Sequence, residues 1–342
     1  MPLRSLLITL LLLISSCVDK TNNDDEIKYR QFIGFTMGTT YQITLESTQE
    51  KQLSLKQSID ARLIEINQLM STYIKNSELS LFNLNESDLC IPMSVDNLFV
   101  IAEAQKVSNQ TNGKFDITLD PLINAWGFDS KQTNDNIPED AVISNLLKEI
   151  GFTKLTVQKK CILKETKTLS VNLSAIAKGY AVDQIAKLIS GSGVNNYLVE
   201  IGGETASKGV NSKLKTWRLA IEAPIDETRR IQKIFEPHNL GVATSGNYRN
   251  YFEKDGKRYS HTIDPTTGKP VTHNLASVTV LHQQTMLADA YATAFMVMGE
   301  ESSLAFAEEN KIAIYLLIKT SEGFVERHSS EFDQYFTLEP RD

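Results

Sequence analysis

An apolar segment near the carboxyl end of the chain contains a single charged residue, Asp289. The segment runs from Thr285 to Gly299, and its apolar and small residues would occupy every face of a helix, which predicts a buried helix. A buried carboxylate needs a cation or a proton, because an unpaired buried charge is very costly. Thr293 lies one turn further along the same face, and an oxygen pair of this kind favours Mg²⁺ or Ca²⁺ over zinc. An ion pair with a distant lysine or arginine is the alternative.

A second candidate segment is a strand that leads into a helix, Val171-Asn-Leu-Ser-Ala-Ile-Ala-Lys-Gly-Tyr-Ala-Val-Asp183. Ser174 is a suitable N-cap for a helix from Ala175 to about Ile189. The free N–H groups of a helix start can bind a phosphate, and Lys178 would add a positive charge one turn in. Taken alone, the segment is explained more simply by a surface lysine on an amphipathic helix.

A third candidate is the run Tyr259-Ser-His-Thr-Ile-Asp-Pro-Thr-Thr-Gly268, a strand that ends in a tight turn. Asp-Pro-x-x-Gly is common turn chemistry, so Asp264 is explained equally well as a turn-capping residue. His261, one of five histidines in the chain, is a candidate for proton transfer or a phosphate contact. The chain contains neither a GxGxxG fingerprint nor a P-loop, so a Rossmann or Walker nucleotide site is not indicated.

The elements that must position these residues alternate irregularly between helix and strand. Apolar residues at helical spacing predict helices over residues 53–70 and 95–111, in addition to those at 175–189 and 285–299, and a short helix at 303–309. Predicted strands cover residues 40–45, 154–158, 161–164, 168–173, 197–201, 217–223, 239–244, 258–263, 277–281 and 312–318. Strands in groups with intervening helices favour an α+β fold with mixed or antiparallel sheets, in one compact domain over residues 31–342.

Composition excludes several classes of protein. The 342 residues are 41% hydrophobic and 23% charged, as in an ordinary globular chain, and the net charge is −7. Lys and Arg are nowhere concentrated in the way that nucleic-acid binding requires, so no nucleic-acid partner is expected. In an acidic protein a bound phosphate must be held by local groups such as a metal ion, a helix start or a single lysine.

The amino terminus predicts export and lipid attachment. Residues 1–16 combine a weakly basic start with a short apolar run, as in a signal peptide. Ile14-Ser-Ser-Cys17 resembles a bacterial lipobox, in which Cys17 becomes the lipidated first residue, and residues 17–30 would form a flexible tether. A plain signal peptide with an incidental cysteine is the alternative. Cys90 and Cys161 lack metal or redox spacing; they could pair, but two isolated buried thiols are the preferred interpretation.

Eight groups of residues follow one another along the chain in a recognisable order. They are Met37-Gly-Thr-Thr-Tyr41; Met70-Ser-Thr-Tyr73 with Ser77-Glu-Leu-Ser80; Gly113-Lys-Phe-Asp-Ile-Thr-Leu-Asp-Pro-Leu122 with Trp126-Gly-Phe128; Asn172 to Asp183; Glu200-Ile-Gly-Gly203; Thr244-Ser-Gly-Asn-Tyr248; Ser260 to Pro270; and Ala288-Asp-Ala-Tyr-Ala-Thr293. Together they resemble the ApbE family of FAD:protein FMN transferases, over about residues 32 to 300.

The resemblance assigns roles to individual residues. It implies that Mg²⁺ is held by Asp289, Thr293 and the backbone carbonyl of Ala175. It also implies a set of contacts to FAD, namely Met37, Tyr73, Lys114, Phe115, Asp116, Asn172, Lys178 and Ile263. Many family members carry Asp where this chain has Asn172, so a charge-dependent role at that position is not expected here.

The implied reaction is Mg²⁺-dependent transfer of FMN from FAD to a threonine or serine hydroxyl of an acceptor protein, with release of AMP. His261 or Asp264 would assist removal of the proton. The family implies acceptors among membrane redox subunits, such as those of sodium-pumping reductases, and a lipid-anchored enzyme on the periplasmic side of a bacterial membrane. FAD hydrolysis to FMN and AMP, or FAD binding without chemistry, are the alternative functions, and the sequence does not separate them.

Overall fold

The structure is a computed structural model that describes residues 26–128, 137–224, 230–247, 251–254 and 256–336. The helices are α1 Gln49–Met70, α2 Glu78–Leu84, α3 Val95–Gln110, α4 Asp120–Ala125, α5 Asp140–Glu149, α6 Ala177–Gly191, α7 Thr285–Met298 and α8 Glu300–Asn310. The strands are β1 Lys28–Thr36, β2 Thr39–Ser47, β3 Ile91–Pro92, β4 Leu155–Val157, β5 Cys161–Lys164, β6 Tyr197–Ile201, β7 Glu204–Lys208, β8 Leu219–Glu222, β9 Ile231–Phe235, β10 Gly241–Gly246, β11 Tyr251–Lys254, β12 Lys257–Ser260, β13 Ile263–Asp264, β14 Lys269–Pro270, β15 Leu275–His282, β16 Ala313–Thr320 and β17 Gly323–His328.

Eight strands form the main sheet, in the order β1-β2-β6-β7-β10-β15-β16-β17. Every neighbouring pair in this sheet is antiparallel, which resolves the predicted choice between mixed and antiparallel sheets. β1 and β2 are joined by the two-residue turn Met37-Gly38, in which both residues have positive φ, as tight hairpins require. The predicted α+β fold is confirmed.

The helices pack on this sheet through one large core. In α1 the predicted helical spacing is borne out, because Leu55, Ile59, Leu63 and Ile66 are all buried. Side-chain caps begin α1 and α3, where the hydroxyls of Thr48 and Ser94 accept N–H groups of the first turn. α7 is buried on nearly every side, as its composition predicts, and it packs against α6 and against strands β10 and β15.

Smaller sheets complete the domain, with strand orders β3-β5-β4, β8-β9, β11-β12 and β13-β14. A separate apolar cluster packs against the β13–β14 hairpin and includes its first residue. The cluster consists of Leu122, Trp126, Ile143, Ile150 and Ile263. The indole N–H of Trp126 donates to the carbonyl of Gly268 at 2.8 Å and so fixes the turn between these two strands. This hairpin carries the predicted turn that begins at Asp264.

Two local predictions are wrong for the same reason, which is that side chains take the place of regular backbone pairing. Residues 168–173 do not form a strand: Val171 bonds through both its N–H and its carbonyl to the side-chain amide of Asn83, each at 2.8 Å. The following helix begins at Ala177 instead of Ala175, and its N-cap position is Ile176. Ser174 does not cap it; its N–H donates to Asn172 Oδ1 at 2.9 Å.

The predicted tether overlaps the first strand. Lys28, Tyr29 and Arg30 pair with Ser47, Glu46 and Leu45 of β2, so the tether ends before residue 28 and the folded domain begins there. The predicted signal peptide and Cys17 lie outside the described residues. None of the helices within the described ranges is both long and apolar enough to span a membrane.

Cys90 and Cys161 form a disulfide, which corrects the interpretation of two isolated thiols. Their Cα atoms lie 5.5 Å apart because β3 and β5 are paired beside them, with Pro92 opposite Cys161. Residues 71 positions apart in sequence are thus adjacent, a fact that periodicity alone does not predict. Closing a loop of this length stabilises the fold by about 4 kcal/mol in the chain-entropy account.

Candidate active site

A cavity of about 520 Å³ lies between the α6–α7 pair and the β13–β14 hairpin. Its lining includes most of the residues predicted from the sequence: Tyr73, Lys114, Phe115, Asp116, Asn172, Ala175, Lys178, His261, Ile263, Asp289 and Thr293. This volume falls within the range of small-molecule sites. Tertiary folding therefore brings these residues together from five separate segments of the chain.

Helices α6 and α7 are held unusually close together. Asp183 of α6 accepts the first two N–H groups of α7, from Thr285 at 2.8 Å and Met286 at 2.9 Å, and so caps that helix from outside. Gly179 faces the same helix start: a Cβ at this position would lie 2.4 Å from the Thr285 carbonyl oxygen. Glycine is therefore required here for packing, and the close approach sets the position of Asp289.

Asp289 is buried, with 3% of its surface exposed, and its two oxygens have different partners. Oδ2 accepts the backbone N–H of Gly179 at 3.0 Å, whereas Oδ1 lies 3.8 Å from Lys178 Nζ. Of the two sequence alternatives, the ion pair is partly realised, because a lysine is present but only at the limit of ion-pair distance. The cation site stays a prediction.

Glu204, the first residue of β7, is the other partner of Lys178. Its Oε1 lies 3.3 Å from Lys178 Nζ, and only 5% of its side chain is exposed. Burial, partly offset by Lys178, raises the pKa of Glu204 above its ordinary value. Burial alone would lower the pKa of Lys178, but the charges of Asp289 and Glu204 together outweigh it and raise that pKa. Two carboxylates share one ammonium.

The three predicted metal ligands line the same part of this wall. Asp289 and Thr293 face the cavity from α7, and Ala175 faces it from the turn before α6. The Thr293 hydroxyl lies 3.3 Å from that of Ser245 on β10. Within the described ranges no group of three His, Cys, Asp or Glu side chains could hold a metal, so a site here depends on hydroxyl and carbonyl oxygens. Those oxygen donors fit a hard divalent cation. So does the presence of two acidic side chains, Glu204 and Asp289, beside the single lysine Lys178.

The opposite wall is built from turn chemistry. Asp264 begins the turn as predicted: its carboxylate accepts the N–H of Thr266 at 2.9 Å, and its carbonyl accepts that of Gly268 at 2.8 Å. The same carboxylate pairs with Lys114 Nζ at 3.1 Å, and Lys114 also donates to the Thr266 hydroxyl at 3.2 Å. Asp264 is not among the residues that line the cavity.

His261 does line the cavity, in the connection between β12 and β13. It is half-buried, and its ring meets that of Phe128 edge to face at 6.4 Å between centroids. Of the two residues predicted to assist proton removal, the structure thus places one at the cavity and the other behind it.

The chain is similar to known proteins over most of its length. The family model described as the ApbE family matches residues 37–316. The chain is 44% identical over 306 residues to the FAD:protein FMN transferase of Vibrio cholerae, covering 89% of this chain and 92% of that protein. Its fold matches the solved flavin transferase ApbE from Vibrio cholerae with a TM-score of 0.84 at 42% identity, covering 91% of this chain and 100% of that one. The apo flavinyl transferase ApbE of Pseudomonas stutzeri gives a TM-score of 0.83 at 38% identity, covering 91% and 97%.

This chain belongs to the ApbE family. The family, the fold class and the expectation of an enzyme, all drawn from the sequence, are therefore confirmed.

The residues predicted to contact FAD differ in their burial and in whether they line the cavity of this ApbE family member. Phe115 and Ile263 are buried in the cavity wall, and Tyr73 stands at the surface with 60% exposure. Asp116 lines the cavity but is anchored behind it by N–H groups of Thr118 at 2.7 Å and Phe152 at 3.0 Å, and burial raises its pKa. Met37 packs partly against the main core, in the β1–β2 turn, and is not among the cavity-lining residues.

Asn172 is held through both ends of its side-chain amide. Its side-chain N–H donates to Asp120 Oδ1 at 2.9 Å, and its Oδ1 accepts the Ser174 N–H. An aspartate at this position could not donate to a second carboxylate. The amide is therefore matched to Asp120 in this chain.

Several site residues were not predicted from the sequence: Asp120, Asp183, Glu204, Thr244 and Ser245. Glu204 follows directly on the Gly202-Gly203 turn, and a charged residue at the start of a buried strand is the one local signal that it carried. Asp183 had none, because a helix cap supplied from another helix has no fixed spacing in sequence.

Proposed function

We propose that this protein is an FAD:protein FMN transferase that requires Mg²⁺, attaches FMN to a threonine or serine hydroxyl of its acceptor and releases AMP. The observation that carries the proposal is the meeting of Lys178, Asp289, Thr293 and Ala175 on one wall of the cavity. A lysine, a buried carboxylate and further oxygen donors are what a pyrophosphate with its divalent cation requires.

The opposite side of the cavity is suited to a flavin ring. Ile263 and Phe128 line it beside the hairpin, Phe115 adds a third apolar side chain to the lining, and Tyr73 lines the cavity while 60% exposed to solvent. The cavity lining therefore offers apolar side chains as well as charged ones, as the two ends of FMN require. The relatives from Vibrio cholerae and Escherichia coli named FAD:protein FMN transferase support the same substrate.

In the proposed reaction the acceptor hydroxyl oxygen forms a bond to the phosphorus of the FMN half. The bond from that phosphorus to the bridging oxygen breaks, and this oxygen leaves with AMP. His261 takes the hydroxyl proton, because it faces the cavity while Asp264 is held by Lys114. Lys178 orients the pyrophosphate by its charge. Mg²⁺, held by Asp289, Thr293 and the Ala175 carbonyl, would supply charge neutralisation of the pyrophosphate.

The acceptors proposed here are membrane redox subunits, reached by an exported enzyme that is lipid-anchored through Cys17 on the periplasmic side. The Cys90–Cys161 disulfide supports export, since disulfides persist in oxidising compartments. Incorporation of labelled palmitate into the full chain, and its loss in Cys17→Ser, tests the anchor. Labelling that persists in Cys17→Ser would contradict it.

Transfer is tested by incubating the full-length protein with FAD, Mg²⁺ and the flavin-carrying subunit of a sodium-pumping reductase. We expect a fluorescent acceptor band on a denaturing gel and one AMP for each flavin attached. An acceptor whose target threonine or serine is replaced by valine or alanine serves as the matched control and stays dark. Release of FMN and AMP with no labelled acceptor would establish hydrolysis, and FAD binding without either product would establish a binding protein.

A further inference from the structure

Glu204 is a buried acidic residue that none of the assigned roles uses. Its side chain is 5% exposed, and its Oε2 is sealed from solvent and has no hydrogen-bond partner among the described residues. Within those residues, Lys178 is its one cationic partner. An unpaired buried carboxylate is costly, so Glu204 holds the Lys178 ammonium firmly.

Asp289 depends on Lys178 much less. Its Oδ2 already accepts the N–H of Gly179 at 3.0 Å, and Oδ1 lies 3.8 Å from the ammonium, against 3.3 Å for the contact to Glu204. The lysine thus stands nearer to the carboxylate that has no other partner. Oδ1 is left with only a long contact and remains available to a cation.

We propose that Glu204 is a positioning residue that holds Lys178 away from Asp289 and thereby keeps Asp289 available for a divalent cation. The inference rests on the proposed function, which makes Asp289 a metal ligand. When Glu204 is replaced by a neutral residue, Asp289 is the one acidic partner left to Lys178, and the ammonium group moves towards Asp289. The ammonium then competes with the cation for the same oxygen.

The arrangement also accounts for the path of the lysine. A Cβ at Gly202, in the turn before Glu204, would lie 3.5 Å from Lys178 Cδ and 2.8 Å from Thr39 Cγ2. The methylene chain of Lys178 therefore passes close to the β6–β7 turn. Its ammonium group lies nearer to Glu204 at the start of β7 than to Asp289 on α7. Glu204 sits at the end of that path.

The test is a double-mutant cycle read by binding of Mn²⁺ to the full-length protein, followed by the electron paramagnetic resonance of the free ion. In Glu204→Gln we expect the Mn²⁺ dissociation constant to rise about tenfold or more. In a Lys178→Met background, the same Glu204→Gln change is expected to alter it by less than about threefold, because no ammonium is left to compete. Glu322→Gln, on the exposed β16–β17 turn, is the matched control and leaves binding unchanged.

An equal loss in both backgrounds would overturn the inference, since Glu204 would then act on the cation itself. Unchanged binding in Glu204→Gln would also overturn it while leaving the proposed function intact, provided that Asp289→Asn abolishes binding. If Asp289→Asn has no effect, the metal assignment and this inference fail together. Excess Mn²⁺ should restore the turnover of Glu204→Gln but not that of Asp289→Asn. The double variant Lys178→Met/Glu204→Gln carries no unpaired buried charge of this ion pair, so it keeps the cycle readable if Glu204→Gln alone folds poorly.

Discussion

The two walls of the cavity are built on opposite principles. On the α6–α7 wall, the carboxyl groups of Glu204 and Asp289 are buried, with 5% of each side chain exposed, and Lys178, which is 27% exposed, contacts both. Close helix packing at Gly179 fixes the position of Asp289. On the hairpin wall, Lys114 and Asp264 form an ion pair whose side chains are 31% and 19% exposed, and the Asp264 carboxylate also accepts the N–H of Thr266 within the turn. Burying an acidic group destabilises the fold unless the group has a partner, whereas a partly exposed ion pair contributes little to the free energy of unfolding.

The comparison predicts that substitutions on the first wall alter the reaction and the fold strongly. Substitutions on the second wall, with His261 as the exception, should alter both weakly. The following experiments test that division.

The largest effect is expected at Asp289. Asp289→Asn keeps an acceptor for the Gly179 N–H but removes the charge, and turnover should fall about a thousandfold or more if a cation is lost. Steady-state kinetics with FAD and acceptor, over a titration of Mg²⁺, measures it. Turnover within tenfold of the unsubstituted protein at ordinary Mg²⁺ would place the cation elsewhere.

His261 is expected to be the one sensitive residue of the second wall. Because it faces the cavity, His261→Asn should lower kcat about a hundredfold, the usual contribution of a general base. Asp264→Asn is the matched control and should change kcat less than about threefold, because its carboxylate faces Lys114. The reverse order of the two effects would exchange their roles.

Gly179 tests the packing of the first wall. Gly179→Ala places a methyl group 2.4 Å from the Thr285 carbonyl, and overpacking against backbone should destabilise the fold by about 1–3 kcal/mol. Gly191→Ala, at the other end of the same helix, meets no atom within 4 Å and should be neutral or stabilising by about 0.4–1 kcal/mol. Chemical denaturation of both variants gives the difference. Equal stability would mean that α6 and α7 are not held together at this point.

The smallest effect is expected at Lys114. Lys114→Met removes the half-exposed ion pair with Asp264 and should cost about 0.2–1 kcal/mol in the free energy of unfolding. The apparent KM for FAD should rise by no more than a few fold. A large loss of kcat would show that this lysine contacts the reacting phosphate, and the two walls would then share the charge chemistry.

The sequence pattern predicted an element correctly where that element's own residues determine its structure. The buried α7, the apolar face of α1 and the turn at Asp264 all formed as predicted, because burial and turn geometry are read over a few neighbouring residues. It failed over residues 168–173, where the side chain of Asn83 replaces a partner strand. It failed again for Cys90 and Cys161, which are 71 positions apart and meet only because β3 pairs with β5.

The sequence by itself determined that a lone carboxylate lies in a buried helix, that Lys178 lies near the start of another helix, and that eight ordered groups of residues belong to one family. Only the tertiary structure decided that Lys178, Glu204 and Asp289 form one group of charges. The physical reason is that a buried charged group is stable only beside a partner, and these partners lie on three elements, α6, β7 and α7. The packing at Gly179 and the cap from Asp183 set the distance between α6 and α7. The structure likewise places His261 at the cavity and Asp264, three positions further along the sequence, outside its lining.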